Sequence, residues 1–448
     1  MRRSWLLAAL LVASTSPLPA QTLRAGFGEV DVTPPDGTPR QGWNTKLTGE
    51  GALDPIFARA VVFQLDRDGV GDERPLAIVQ LDVALVGEKD TAAIRGAVET
   101  QHRIPGSRVM VAATHNHAGP AMIDEALPRD ENYIARMVAA AAEAVARALA
   151  DREDAEIAVG KAVEWDVAYN RRVVMRDGTA RTHGSFRDPD ALAHESPIDP
   201  EVGVLAVRGR AGKIKGVLVN FACHPTHHGG ERFFSAGYPG VLARELRTRG
   251  FPITLFLQGA AGDVAYDDPR GRPDKTMEEI GRMLAADVAR ALESPKWTTP
   301  ATLSAATTRV AIPYRRVTDD DVKGTARGAQ RFGEPGYYDR KIPGLLAMMK
   351  AKGSVEAEVQ VFRVGEAAFA AQPSESFTRH GLAIKEGSRP VRTFVVCYAN
   401  GMLGYLPHEE AFARGGYECT FGPPSLMAPE AGRLLAEAAV ALIRAATE

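Results

Sequence analysis

The sequence predicts an α/β protein with mixed, mostly parallel sheets and flanking helices. Short apolar segments alternate along the chain with longer alanine-rich segments, and polar side chains follow directly after the apolar ones. Strands that alternate with helices are typical of βαβ units. In such folds functional residues collect at the carboxyl ends of the strands. A chain of 448 residues is long enough to bury a sizeable core around such sheets.

Six short segments are predicted strands because apolar and often β-branched residues fill them. They are residues 76–82, 108–113, 217–222, 253–257, 367–371 and 392–398. Five alanine-rich segments are predicted helices between and after these strands. They are residues 89–101, 132–150, 238–248, 277–292 and 429–446. Two stretches without such patterning, 170–200 and 318–344, are predicted long loops, which in compact domains often serve as functional lids.

The N-terminal residues predict export. Arg2 and Arg3 precede an apolar run over residues 5–12, and a small residue stands at Ala20, as in a secretory signal peptide cleaved after residue 20. The run is too short to span a membrane, and no later segment reaches the length of a spanning helix. We therefore expect a secreted or periplasmic protein with one domain over residues 21–448.

Charge and cysteine content narrow the function classes. The formal net charge of −2 argues against broad electrostatic capture of nucleic acid, so no nucleic-acid partner is expected. The chain has only 3 cysteines, too few for a disulfide framework or a thiolate metal site. Any metal would therefore depend on imidazole and carboxylate ligands.

Histidines collect after two of the predicted strands. His115 and His117 follow strand 108–113, and on an extended chain residues i and i+2 point to the same side. They could face one cation or one substrate. His224 ends strand 217–222 and is the better ligand candidate there, because His227 and His228 fall in the turn beyond it. Neutral imidazole is a common zinc ligand.

Three further strand ends carry candidate residues. Asp263, in the loop after strand 253–257, could hold the second N–H of a ligand histidine, or cap its own loop. Glu375 follows strand 367–371 and is a natural third ligand to a two-histidine zinc site, although it could equally start a helix. Tyr405 lies in a Gly-rich segment, from which it could ligate a metal, donate to an oxyanion, or simply pack in the core. The chain contains neither H-E-x-x-H nor G-x-S-x-G, which excludes a zincin or an α/β-hydrolase nucleophile elbow.

In this order the segments resemble the neutral/alkaline, non-lysosomal ceramidase family. The opening residues 25–35 look like the start of that family, and residues 113–120 match its ATHTHSGP motif. The remaining matches are short elements spread over the rest of the chain. They are Asn170-Arg171, His224-Pro225, Gly262-Asp263-Val264, residues 398–405 and Phe421-Gly422-Pro423.

The resemblance implies a zinc-dependent amidase. It implies that His115, His224, Glu375 and Tyr405 hold the zinc and that His117 is a catalytic partner. In the expected mechanism Tyr405 also acts in catalysis, because it stabilises the oxyanion together with the zinc. Arg171, Tyr417 and Asp263 are assigned to the substrate site. The implied partner is a small-molecule or lipid acyl substrate.

The chain departs from the family at two places. Ala265 stands where the family has a serine, so we expect simpler acyl substrates to be cleaved better than ceramide itself. The family also usually carries a C-terminal immunoglobulin-like domain, for which the sequence after helix 429–446 leaves no room.

The leading hypothesis is an exported zinc hydrolase that cleaves the amide bond of a ceramide-like N-acyl lipid with a metal-activated water. A zinc hydrolase of a carboxyl ester, a lactone or another N-acyl amide is the alternative within the enzyme class. A catalytically inactive binding protein of the same fold is the alternative outside it.

Overall fold

A computed structural model describes residues 21–67 and 74–446. The predicted signal peptide over residues 1–20 lies outside the described residues. In the described part, all three cysteines are free and buried. No helix there combines the length and the apolar character that a membrane crossing requires.

The described residues form twenty strands and eight α-helices. The strands are β1 (Gln21–Asp31), β2 (Phe57–Arg67), β3 (Leu76–Leu81), β4 (Val109–Ala113), β5 (Glu153–Asp154), β6 (Glu156–Val163), β7 (Tyr169–Asn170), β8 (Arg172–Met175), β9 (Ala180–Thr182), β10 (Ala191–His194), β11 (Glu201–Arg208), β12 (Ile214–Phe221), β13 (Ile253–Gln258), β14 (Val264–Ala265), β15 (Leu303–Pro313), β16 (Ser354–Val364), β17 (Ala367–Ala371), β18 (Glu375–Ser376), β19 (Arg392–Val396) and β20 (Tyr405–Leu406). The helices are α1 (Glu88–His102), α2 (Glu131–Ala150), α3 (Gly237–Thr248), α4 (Met277–Ala291), α5 (Asp319–Lys323), α6 (Tyr337–Lys352), α7 (Thr378–Gly387) and α8 (Ala431–Ala445).

Three larger sheets build the body of the protein. Their strand orders are β4-β3-β2-β1-β5, β13-β12-β11-β6 and β15-β16-β17-β19. Side chains from all three sheets meet in one apolar cluster, represented by Phe63, Leu218 and Phe369. Helices α1 and α2 accompany the first sheet, α3 and α4 the second, and α7 and α8 the third. The three sheets therefore pack around a shared core, and each has its own pair of helices.

Each larger sheet contains one parallel pair, in which a helix lies between the two strands along the chain. The pairs are β3 with β4, β12 with β13, and β17 with β19. Every one of these six strands was predicted from the sequence, because nearly all their residues are buried. The carboxyl ends of β4, β12 and β17 lead directly to His115, His224 and Glu375. These candidate residues therefore follow the carboxyl ends of strands.

Two of the fold predictions were wrong in detail. The α/β class with mixed sheets is confirmed, but the sheets are not mostly parallel. Besides the three pairs above, only β18 with β20 is parallel among the described strands, and the other pairings are antiparallel. Short connections favour antiparallel neighbours, and such connections join β8 to β9, β11 to β12 and β16 to β17. The predicted loop over residues 170–200 contains a small antiparallel sheet of order β10-β8-β9. The stretch 318–344 is mostly irregular, but it includes α5 and the start of α6.

Candidate metal centre

Three buried histidines converge on one point. Nε2 of His117 lies 3.0 Å from Nε2 of His115, and the ring centroids of His115 and His224 are 4.5 Å apart. One ligand nitrogen of each of the three rings lies within 4.8 Å of the others. The segments that follow β4 and β12 thus bring together three histidines that could hold a metal ion.

Backbone carbonyl groups orient all three imidazoles through Nδ1. Nδ1 of His115 contacts the oxygen of Ala84 at 2.7 Å, and Nδ1 of His224 contacts that of Ala261 at 2.7 Å. Nδ1 of His117 contacts the oxygen of Gly42 at 2.9 Å. Because a carbonyl only accepts, each Nδ1 carries the proton and each Nε2 presents a lone pair. This arrangement is typical of histidines that ligate metals.

Burial supports the neutral form of His117 and His224. Burial and the neighbouring His115 and His224 lower the pKa of His117 well below its ordinary value. Burial and the nearby Arg171 lower the pKa of His224 to about 3. Uncharged imidazoles at neutral pH are the form that binds a metal.

The carboxylate of Glu375 closes the group. Its Oε2 is buried and lies 3.3 Å from Nε2 of His115 and 3.3 Å from Nε2 of His224. Among the residues that the structure describes, this oxygen has no hydrogen-bond partner. Lone pairs that face one another at this distance repel unless a cation lies between them. Two ligands about 2.0–2.1 Å from a tetrahedral zinc are about 3.4 Å apart, so the two histidines and the carboxylate fit such an ion.

His115 reaches this point in an unexpected conformation. We predicted that His115 and His117 share a face because the chain is extended there. Instead His115 has a φ of 63°, in the left-handed region that non-glycine residues rarely adopt. Its ring stacks on Tyr398, with ring centroids 3.9 Å apart, and strained backbone of this kind clusters at functional sites. The expected convergence is therefore present, but a tight turn produces it.

Tyr405 and Arg171 meet on another side of the group. The phenol oxygen of Tyr405 lies 3.5 Å from Nε2 of His224 and accepts a hydrogen bond of 3.1 Å from Nη2 of Arg171. Burial, reinforced by Glu375, raises the pKa of Tyr405 well above its ordinary value, and Arg171 opposes that rise. The ring of Tyr417 lies 5.6 Å from that of Tyr405, and its hydroxyl contacts Asn44. Tyr405 therefore links Arg171 and Tyr417 to the histidine group.

Asp263 does not hold a histidine. Its carboxylate accepts hydrogen bonds from the side chain of Asn170 at 2.7 Å and from the backbone and hydroxyl of Thr378. The sequence suggested that Asp263 accepts a hydrogen bond from the second N–H of a ligand histidine. Backbone carbonyl oxygens accept these Nδ1–H hydrogen bonds instead. Asp263 is fully buried, and its own carbonyl accepts from the backbone N–H of Arg171. Its contacts therefore position the segment that carries Arg171.

Glu418 is a functional candidate that the sequence analysis missed. Its Oε1 accepts from Nε of Arg171 at 2.9 Å, and its Oε2 accepts from Nη1 of Arg172 at 2.7 Å. Although burial alone would lower it, Tyr405 and Glu418 hold the pKa of Arg171 well above its ordinary value. Adjacency to Tyr417 was the only available signal. His227 and His228 lie apart from the group, His227 stacked on Tyr266 and His228 paired with Glu231.

Two cavities meet at the histidine group. The first, which we call the apolar cavity, has a volume of about 330 Å³. It is lined mainly by apolar side chains, including Leu85, Ile123, Met348, Met402, Leu403 and Leu426. The second, which we call the mixed cavity, has a volume of about 550 Å³. Its lining includes Trp43, Arg171, His183, Thr226, Asp267 and Phe332. His117, Tyr405 and Tyr417 line both, so the group stands at their junction.

The chain is similar in sequence and in structure to neutral ceramidase. No family model matches the chain. The neutral ceramidase of Pseudomonas aeruginosa is 24% identical over 238 residues, which cover 49% of this chain and 33% of that protein. The matched segment thus spans about a third of that relative.

Solved structures cover far more of the chain. The crystal structure of neutral ceramidase from Pseudomonas aeruginosa superposes with a TM-score of 0.71 and 20% identity, covering 96% of this chain and 75% of that one. A structure described as ceramidase complexed with C2 gives a TM-score of 0.73 and 19% identity, covering 95% of this chain and 76% of that one. The resemblance drawn from the motifs is thereby confirmed, and this chain has the fold of the neutral ceramidase catalytic domain.

Proposed function

We propose that this chain is a zinc-dependent hydrolase that cleaves the amide bond of a ceramide-like N-acyl lipid. The observation that carries the proposal is the unpaired carboxylate oxygen of Glu375, which faces Nε2 of His115 and His224 where two cavities meet. The likeness to neutral ceramidase supports the same chemistry.

The residues suit zinc better than a hard cation. Two imidazoles and a carboxylate are a common catalytic zinc set, whereas calcium and magnesium prefer oxygen ligands alone. His115, His224 and Glu375 would hold the ion, and Tyr405 would complete the set. When bound, zinc supplies a Lewis acid that polarises the amide carbonyl and lowers the pKa of a coordinated water toward about 7.

In this proposal His117 moves the proton. It lines both cavities, so Nε2 can face an amide bond that spans their junction. As a neutral base it accepts the proton of the attacking water, and it then donates that proton to the leaving amine nitrogen. Hydrolysis thus yields a carboxylate and a free amine.

Arg171 and Tyr405 favour the charge that develops on the carbonyl oxygen. Arg171 is 3% exposed and Tyr405 is 5% exposed, so little water screens the interaction between them. A preorganised donor of this kind is typically worth about 10²–10³ in kcat.

The apolar cavity supports an acyl substrate. Its wall of leucine and methionine side chains fits a hydrocarbon chain, and it opens onto His115, His117 and Glu375. An ester, a lactone or another N-acyl amide is the second candidate substrate, because the apolar cavity would accept the acyl chain of any of them. We also propose that the protein is exported, because residues 1–20 have the pattern of a signal peptide; the mature N-terminus of periplasmic material would test this.

Turnover with controlled metal content tests the proposed function. Purified protein should hydrolyse an N-acyl lipid, lose activity on chelation, and recover it when one equivalent of zinc is returned. A panel of ceramide, a simple N-acyl amide and the matching ester ranks the substrates. Full zinc occupancy without turnover of any acyl substrate would contradict the proposal and favour a binding protein.

A further inference from the structure

We propose that His183 and Asp267 form a subsite in the mixed cavity that recognises a hydroxyl group on the amine half of the substrate. The inference rests on the proposed amide hydrolysis. It adds a specificity-determining pair in which neither residue belongs to the metal centre.

The two side chains form a defined pair. Nδ1 of His183 lies 2.7 Å from Oδ2 of Asp267, although 84 residues separate them in sequence. His183 has a φ of 53°, a left-handed conformation for a non-glycine residue. The side chains are 41% and 31% exposed, and both line the mixed cavity. The pair is thus presented to the cavity.

The pair leaves one nitrogen free for a ligand. Asp267 accepts from Nδ1–H, and in that tautomer Nε2 carries a lone pair. Nε2 has no hydrogen-bond partner among residues 21–67 and 74–446, and the ring meets only the aromatic ring of Phe332, 6.3 Å away between centroids. An acceptor in this position selects a ligand that can donate a hydrogen bond.

The position of the pair assigns it to the amine half. His117, Arg171 and Tyr405 also line the mixed cavity, which places the scissile bond at one end of it. The apolar cavity on the other side suits the acyl chain. The amine released by hydrolysis therefore lies beside His183, Asp267 and Thr226.

The charges around the cavity favour a neutral donor. Asp267 repels a carboxylate, and Arg171 in the same wall repels a further cationic group. Although burial alone would raise it, His183 holds the pKa of Asp267 below its ordinary value, so Asp267 stays charged. A hydroxyl group satisfies Nε2 without either repulsion.

Matched amides test the subsite. The first substrate is the lauroyl amide of serinol, and the second is the isosteric amide in which both hydroxyls are methyl groups. We expect the wild-type kcat/KM for the serinol amide to be at least about 10-fold higher, the worth of one net hydrogen bond. In His183→Asn, which tolerates the left-handed backbone, and in Asp267→Ala the ratio should fall toward one.

Controls separate recognition from structural damage. Activity on the isosteric amide should stay within about 2-fold in both variants, because that substrate makes no hydrogen bond there. His102→Asn, at a histidine on α1 that lines neither cavity, should keep the wild-type ratio. A ratio unchanged in the variants, or an equal loss on both amides, overturns the inference. The lauroyl amide of alanine, which carries a carboxylate, is a further comparison. If the wild type prefers it to the serinol amide and the variants lose that preference, the subsite binds an anion and the inference is overturned.

Binding of free serinol distinguishes this inference from the proposed function. If the wild type hydrolyses no amide, the proposed function fails, and binding followed by NMR still tests the subsite. Weaker binding to His183→Asn than to wild type supports the pair as a hydroxyl subsite. Equal or absent binding to both proteins overturns it.

Discussion

Nη2 of Arg171 donates a hydrogen bond of 3.1 Å to the phenol oxygen of Tyr405, while Nε of the same guanidinium donates to Glu418. Glu418 is fully buried and also pairs with Arg172, so one carboxylate holds two buried cations. The orientation of Tyr405 toward the histidine group therefore depends on a residue that does not contact that group.

Replacing Glu418 by Gln should weaken both the fold and the site. The change leaves Arg171 and Arg172 short of one negative charge, and breaking a buried ion pair typically costs about 3–5 kcal/mol. Urea denaturation should show this loss in the free energy of unfolding, with reduced kcat in the protein that remains folded. Glu437→Gln removes an exposed pair with Arg433 and should cost about 0–1 kcal/mol. Equal stability of the two variants would contradict the argument.

Removing a metal ligand should remove the zinc. Purified protein should contain about one zinc per chain, and His115→Ala and His224→Ala should each abolish it, since each removes one of the two imidazole ligands. Metal analysis after dialysis is the measurement. His228→Ala, in a histidine outside the group, is the matched control and should keep its zinc. Full occupancy in the double variant of His115 and His224 would rule out this ligand set.

His117→Ala should separate catalysis from metal binding. If His117 carries protons, the variant keeps nearly normal zinc and loses about 10²–10⁴ in kcat, the usual worth of general acid–base catalysis. Zinc content and kcat are measured on the same preparation. Because Nε2 of His117 lies only 3.0 Å from that of His115, a ligand role is the competing outcome. Loss of zinc in parallel with activity would establish that role.

The fold could be predicted where burial leaves a simple signal. All six predicted strands belong to the three parallel pairs, whose residues are almost entirely apolar. The long strands β15 and β16 were missed because exposed and buried residues mix along them, as in Leu303–Pro313. The same bias explains the error about parallel sheets, because the strands easiest to recognise are the parallel ones.

The candidate site was predictable where function and strand ends coincide. His115, His224 and Glu375 each follow a predicted strand, so the topology brings them together. Glu418 was missed because its partner Arg171 is 247 residues away, and no local pattern marks a contact of that range. The left-handed turn at His115 was missed for a similar reason, since packing against Tyr398 and the contact with Ala84 accompany it.

Stability should fall as the pH rises through neutrality, partly because of Glu125. Burial raises the pKa of Glu125 from 4.5 to about 7, so the folded protein binds this proton more tightly than the unfolded chain. The contribution is complete below pH 4.5 and is lost as the pH rises through about 7. Melting temperatures of wild type and Glu125→Gln, compared between about pH 5 and pH 8, should show a smaller decline in the variant.

Asp287 should also make stability fall as the pH rises, and it provides a control for the Glu125 variant. Asp287 lies on helix α4 and lines neither cavity. Burial and the neighbouring Glu164 raise its pKa to about 7. Both Glu125→Gln and Asp287→Asn should therefore flatten the pH dependence of the melting temperature. Only Glu125→Gln should alter activity, because Glu125 accepts from the backbone of Gly42, whose carbonyl orients His117. An unchanged slope in Glu125→Gln would exclude a proton on this carboxyl.

Ala265→Ser should have little effect on the choice between ceramide and simpler amides. The sequence suggested that the serine absent here would hold the substrate. In the structure Ala265 is fully buried, bridges to the backbone of His224, and lies among the lining residues of neither cavity. A hydroxyl at this position would therefore face the protein interior, and we expect the ratio of kcat/KM for the two substrates to change by less than about 2-fold. Zinc affinity is the property to follow, because the neighbouring carbonyl of Val264 lies 3.1 Å from Nδ1 of His224. A selective gain in ceramide turnover in Ala265→Ser would instead mean that residue 265 reaches the substrate.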